Sequence, residues 1–302
     1  MTTELNVVTG AFGYTGAYIA RELIANGARV RTLTNHARGD APLARQLEIA
    51  PLNFDRPNDL ARSLDGVDVV FNTYWIRFPH RALDFDRAVS NLRALIDAAR
   101  RAGVRRFVHV SITNANAASP LPYFRGKGLI EDYLVQSGLS HAIIRPAVIF
   151  GPEEILLNNI AWMLRRIPLF VIPGDGNYRL QPVFVEDLAK LALDAAHRTD
   201  NLAIDAVGPE TFTFNEMVTL IAREVGSHVP IIHLRPAIAL ACARIVGRTM
   251  RDVTLTRDEV RGLMANLLVS SAPPTAPTRF SECLRRYAEF FGVRYASEVA
   301  RR

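Results

Sequence analysis

Cysteine is nearly missing from this chain. Only Cys242 and Cys283 occur among 302 residues, far apart and without Cys or His companions, so neither a disulfide framework nor a thiolate metal centre is expected. The histidines His36, His80, His141 and His233 stand at no ligand spacing, and no metal site is expected. Long apolar runs are lacking too. The longest, Ala237 to Val246, is interrupted by Arg244 and falls short of the roughly 20 residues that span a bilayer. No arginine-rich run appears: 36 Lys and Arg against 30 Asp and Glu give a net charge of +6, scattered along the chain. That pattern argues against nucleic acid and is compatible with anionic small ligands such as nucleotides. The opening MTTELNVVTG has no charged leader before its apolar residues, so no signal peptide is expected. These absences describe a soluble cytoplasmic protein without a transmembrane segment.

What is present is a rhythm. Short apolar runs at Leu5–Thr9, Arg29–Thr34, Leu47–Leu52, Val67–Asn72, Phe107–Ser111 and His141–Arg145 read as strands. Helical patterns intervene over 14–26, 82–102 and 123–137. Such alternation implies right-handed crossovers and a parallel sheet covered on both faces. The expected fold class is α/β: a Rossmann-type doubly wound parallel sheet over 1–151, with a smaller C-terminal α/β lobe over 152–302. Segments at about 180–207 are expected to return to the first domain. In the second half Thr213-x-x-Glu216 and Thr256-x-x-Glu259 read as capping boxes.

The first strand runs into the turn Gly10-Ala11-Phe12-Gly13-Tyr14-Thr15-Gly16. Glycine suits a tight turn, close backbone approach to a pyrophosphate and helix–strand packing, and the helix N-terminus that follows stabilises phosphate charge. The second strand closes on Thr34-Asn35, where a carboxylate would bind the ribose hydroxyls of NAD. None stands there, and Arg38 follows. A missing anion beside a cation favours the 2′-phosphate, hence NADP(H) over NAD(H). Asn53 and Phe54, after the third strand, are placed to border the adenine.

In the stretch SPLPYFRGKGLIE, Ser119 to Glu131, Tyr123 and Lys127 are four residues apart at a helix start, which stacks them on one face. With the glycine turn, Tyr123-x-x-x-Lys127 and the segment IRPAVIFGP over 144–152, the chain resembles the short-chain dehydrogenase/reductase superfamily. It is most similar to the extended and atypical members: the NAD(P)-dependent epimerase/dehydratase group and relatives of a nucleotide-binding accessory subunit of respiratory complex I. Asn91, the segment from Gly174 to Asp187 and the segment from Val207 to Thr213 add to the likeness, which runs from residue 4 to about 225.

The resemblance implies that Tyr123 is the general acid/base and that Lys127 lowers its pKa and binds the nicotinamide ribose. A phenol near pKa 10 becomes useful at neutrality only beside a fixed positive charge. It also implies Thr73 beside the cofactor, Pro146 to Val148 along the nicotinamide, and Ser111 or Thr113 at the substrate carbonyl. Arg179 and Gln181 fall where extended relatives contact substrate phosphates. Two departures stand out. Ile112 occupies the place of a second hydroxyl, which Thr113 fills only if the strand bulges, and Gly126 replaces a serine. Tyr74 and Trp75 read either as an apolar wall for a small-molecule substrate or as packing under the second lobe. In relatives the helices matching 82–102 and the Tyr123 segment pair across a homodimer. The expected activity is hydride transfer between nicotinamide and a carbonyl/alcohol substrate. The alternatives are a non-catalytic NAD(P)H-binding regulatory or assembly protein, and a nucleotide-sugar epimerase/dehydratase.

Overall fold

A computed structural model describes residues 4–35, 42–80 and 82–297. Arg38 lies outside the described residues. The chain begins with strand β1 (Leu5–Thr9), helix α1 (Tyr14–Ala25), β2 (Arg29–Leu33), β3 (Glu48–Ala50), α2 (Pro57–Arg62), β4 (Val69–Asn72), α3 (Phe85–Arg101), β5 (Arg106–Val110), α4 (Pro122–Gln136) and β6 (His141–Pro146). It continues with β7 (Val148–Phe150), α5 (Ile155–Arg166), β8 (Phe170–Pro173), β9 (Arg179–Leu180), β10 (Pro182–Phe184), α6 (Val185–His197) and β11 (Leu202–Ala206). The last elements are β12 (Phe212–Thr213), α7 (Phe214–Glu224), β13 (Ile231–Leu234), α8 (Pro236–Met250), α9 (Arg257–Met264) and α10 (Phe280–Arg286).

Two compact units result. One holds the chain up to Pro146 together with Glu186–Asp205; the other holds Ala147–Val185 and the chain from Ala206 onward. The first unit is built on a seven-stranded parallel sheet in the order β11-β6-β5-β4-β1-β2-β3. Strand order reverses between β1 and β4, so the crevice beyond their carboxyl ends is where a sheet of this kind receives a ligand. β1 is buried along its whole length. Alternation sends Leu5, Val7, Val70 and Phe107 into one core with Leu92, Leu95 and Ile96 of α3 and Ile130 and Leu134 of α4. On the opposite face the fully buried Arg106 is satisfied by the carbonyls of Ala195 and Asp200 and by Ser140 Oγ.

Element edges differ from the sequence reading for local reasons. α3 starts at Phe85, not near Ala82, because Asp84 caps it by accepting from Arg87 N at 2.7 Å. β3 keeps three residues, and the short α2 begins on Pro57, whose missing N–H costs nothing at a first helical position. In the second unit β7 pairs with β10 and β8 with β13 in parallel, and β9 pairs with β12 antiparallel. Both expected capping boxes form, Thr213 with Glu216 and Thr256 with Glu259. Phe150 packs against Phe184 and Phe280 at 5.4 and 5.1 Å between ring centres. Among the described residues no helix is long and apolar enough to cross a membrane.

Candidate cofactor and active site

The glycine turn is sterically closed from below. Gly10 sits at φ +74°, a conformation that costs an L side chain about 1–2 kcal/mol. Gly13 N–H donates to Gly10 O at 2.8 Å. A Cβ at Gly16 would come within 2.2 Å of Gly10 O and 3.0 Å of Thr73 Oγ1. Helix α1 then starts at Gly13 with no side-chain cap and no acid in its first turn. A helix N-terminus presented in this way suits an anionic ligand, and a dinucleotide pyrophosphate fits that cradle. Thr32, which the sequence reading missed, props the turn: its hydroxyl donates to Val8 O at 2.9 Å and lies 3.4 Å from Ala11 N.

A buried polar line crosses the carboxyl ends of three central strands. Thr9 Oγ1 donates to Asn72 Oδ1 at 2.9 Å and accepts the N–H groups of Thr73 and Tyr74. Thr73 Oγ1 donates back to Thr9 O, so the expected cofactor neighbour Thr73 is fixed against both Gly10 and Gly16. Asn72 Nδ2 lies 2.9 Å from His109 Nδ1. Because the Asn72 oxygen already accepts from Thr9, its amide nitrogen donates to His109, which places the imidazole proton on Nε2. That Nε2 has no partner. Burial, then the charge of Lys127, hold the His109 imidazole well below its usual pKa, so it is neutral.

Lys127 is the centre of the site. It is 3% exposed, its Nζ donates to Val110 O at 2.7 Å, and it stands 4.9 Å from the ring centre of Trp75. Burial pushes its pKa down from 10.5 to about 7, against the opposing charge of Glu131. Glu131 in turn is ion-paired with Arg145. Glycines close both flanks of the lysine. A Cβ at Gly126 would meet the Trp75 indole at 2.8 Å, and one at Gly128 would meet Ala117 N at 2.2 Å. Tyr123 is half-buried on the first turn of α4, edge-on to Trp75, Phe85 and Phe124 at 6.0, 6.0 and 5.7 Å. Tyr123 and Lys127 thus share the indole as a common wall.

The end of β5 runs straight. Ser111 N–H donates to Ile144 O at 2.7 Å and Thr113 N–H to Pro146 O at 3.0 Å. The two strands advance together by two residues, so there is no bulge. Period-two alternation puts Ser111 and Thr113 on the face of Phe107 and His109, towards α4, with Ile112 on the other face. Thr113 needs no bulge to share the side of Ser111. Ser111 is buried, and its Oγ has no partner; neither has Trp75 Nε1. Unmatched donors and acceptors gathered near one buried ammonium are what a polar ligand such as a nicotinamide ribose would satisfy.

The remaining expected contacts are placed as follows. Thr34 is half-buried at the end of β2. The Asn35 amide is spent on Leu52, donating to its carbonyl at 2.7 Å and accepting from its N–H at 3.0 Å. It ties the end of β2 to the chain just after β3. Asn53 and Phe54 are half-buried; the Phe54 ring lies 5.0 Å from Tyr74. The Tyr74 hydroxyl accepts from Asn91 Nδ2 at 2.9 Å, and the ring leans on the α3–α4 core. Trp75 covers Lys127. Pro146 is buried and Val148 half-buried. In the second unit Arg179 is exposed. Gln181 is 5% exposed, its amide donating to Gly208 O and accepting from Ser270 N. Those bonds brace two loops of its own unit.

Residues 10–155 match the family described as NAD(P)H-binding. The photosystem II assembly factor Ycf39 of Cyanophora paradoxa is 30% identical over 244 residues, 78% of this chain and 75% of that protein. The mitochondrial NADH dehydrogenase (ubiquinone) 1 alpha subcomplex subunit 9 of Arabidopsis thaliana is 27% identical over 228 residues, 71% of this chain and 56% of that subunit. The chain spans little more than half the length of the latter. The NADPH-dependent quinone oxidoreductase QOR2 of Escherichia coli, solved with NADPH, superposes with a TM-score of 0.74 at 18% identity, covering 93% of this chain and 99% of that one; this likeness concerns the fold. With the glycine turn, the reversed strand order and these matches together, the chain belongs to an NAD(P)H-binding family that includes the Ycf39 assembly factor.

Proposed function

We propose that the protein is a reductase that binds NADPH over the 10–16 turn and reduces a carbonyl group. The observation that carries this reading is the buried Lys127 amine, bound to Val110 O and covered by the Trp75 indole, in a unit where the polar atoms of Ser111, His109 and Trp75 stay buried and unpartnered. A core built for stability alone does not keep a buried amine and so many unpaired groups. When bound, the reduced nicotinamide supplies the hydride to the carbonyl carbon. Tyr123 gives its hydroxyl proton to the carbonyl oxygen, Lys127 holds the ribose and stabilises the phenolate left behind, and Ser111 donates to the same carbonyl oxygen. Alcohol and oxidised cofactor are the products. NADPH is preferred to NADH because no carboxylate ends β2 and Arg38 follows it. Neither Cys242 nor Cys283 is in a disulfide among the described residues, in keeping with a reducing compartment such as the cytoplasm.

The test is loss of reduced-nicotinamide absorbance against a panel of aldehydes, ketones and quinones. Tyr123→Phe is expected to lower turnover about 10²- to 10⁴-fold with the NADPH dissociation constant unchanged. Unchanged turnover in that variant overturns the assignment.

A second reading has its own support. Ile112 stands where relatives carry a hydroxyl, and the Lys127 amine is already engaged by Val110 O and the indole. On this reading the nucleotide is held without turnover, as a structural or signalling ligand of an assembly protein. Tight NADPH binding with no acceptor in the panel reduced selects it.

A further inference from the structure

On helix α8 of the second unit, large apolar side chains and positive charge without an ion-pair partner among the described residues lie together. Only Ala239 and Gly247 of its fifteen residues are buried. Ile238 and Ile245 are 49% and 64% exposed, and with the exposed Ala241 they recur at i, i+3 and i+7, one stripe along the helix. Arg244 and Arg248 are exposed one step round from that stripe, and Arg235 and Arg251 flank the helix ends. From His233 to Arg251 there is no carboxylate. None of these four guanidiniums takes part in an ion pair among the described residues, whereas Arg223, Arg261 and Arg279 of the same unit each face an acid. The segment after α10 adds to the surface. Phe290 and Val293 are 60% and 51% exposed. Their loop is tied to the end of α8 by Tyr295 Oη donating to Asp252 at 3.0 Å. Arg166 donates into the same loop, to the carbonyls of Gly292 and Val293.

We propose that α8 is a membrane-surface helix, docking the protein on an anionic bilayer with Ile238, Ala241 and Ile245 at the acyl boundary and Arg244 and Arg248 at the headgroups. Charge decides between occupants. A protein partner would need a matching acidic face of its own, whereas a run of cations without a single acid, beside a narrow apolar stripe, is the pattern that seats a helix in a headgroup layer. The helix is too short to cross the bilayer and carries Arg244 and Arg248 beside the stripe, so it lies in the plane.

Co-sedimentation with vesicles tests this, using phosphatidylcholine and phosphatidylglycerol in equal parts against phosphatidylcholine alone. The wild type is expected to partition onto the anionic vesicles and to be released by salt. Each arginine removed is expected to cost about fivefold in partition, so R244A/R248A falls about 25-fold. I238S/I245S falls about tenfold with the net charge unchanged. Because all four side chains are exposed, thermal melts of both variants should match the wild type. Equal binding to neutral vesicles, or no loss in I238S/I245S, overturns the proposal. So does a wild type that ignores vesicles but self-associates in sedimentation velocity and is made monomeric by I238S/I245S, which would make the face a protein interface.

Discussion

Replacing Lys127 by methionine should make the protein more stable while disabling its site. The side chain is 3% exposed and its pKa falls from 10.5 to about 7. In the unfolded chain the amine keeps its ordinary value, so between about pH 7 and 10.5 the unfolded state binds more protons than the folded one. Stability therefore rises with pH across that window, and the penalty for burying the charge is fully present below pH 7. The fall from 10.5 to about 7 is worth about 5 kcal/mol. Methionine has similar length and no charge, so it removes that penalty, but it leaves Val110 O without its donor, at about 1–3 kcal/mol. Lys127→Met should then be about 2–4 kcal/mol more stable than the wild type at pH 6. The advantage should vanish and then reverse towards pH 10. Urea denaturation of both proteins at pH 6, 7.5 and 9 measures it. A variant no more stable at pH 6, or a difference that stays flat with pH, refutes the reasoning. NADPH affinity should fall in the same variant, since the ribose loses its ammonium.

Gly16→Ala forces a methyl to within 2.2 Å of Gly10 O; it should cost about 1–3 kcal/mol and weaken NADPH binding at least tenfold, read by thermal shift with and without cofactor. Asn72→Leu breaks bonds to both Thr9 and His109 and should cost about 2–5 kcal/mol in denaturation, since two buried polar groups lose partners; a loss below about 1 kcal/mol would mean the line bears no load. Arg38→Ala should raise the NADPH dissociation constant about tenfold and leave that for NADH unmoved, and equal effects on both cofactors would end the case for a 2′-phosphate contact.

Local signals were readable wherever neighbours in sequence are also neighbours in space. The β1–turn–α1 unit announces itself because apolar alternation, glycines and helical periodicity follow one another within about twenty residues. The capping boxes at Thr213 and Thr256 are closed within four residues, and both formed as read. What the sequence hid is non-local. Asn72 and His109 look like polar interruptions of apolar strands until β4 and β5 lie side by side. Thr32 looks like a surface threonine until β2 pairs with β1 beneath the turn. Asn35 and Gln181 carry side chains of the kind that meet ligands, yet both are consumed by backbone groups whose positions only the fold defines. The straight run of Ser111 and Thr113 depended on the register with β6, which no pattern within β5 encodes.

The contact between the Trp75 indole and the bare α-carbon of Gly126 also orders the routes by which this chain can change. A hydroxymethyl at 126, which the resemblance drawn from the sequence implies, has nowhere to go while the indole is in place. A smaller residue must therefore appear at 75 before serine can appear at 126. Acquiring a serine there is thus a two-step path whose order is dictated by sterics, and a chain given serine at 126 with Trp75 still in place should misfold locally around α4.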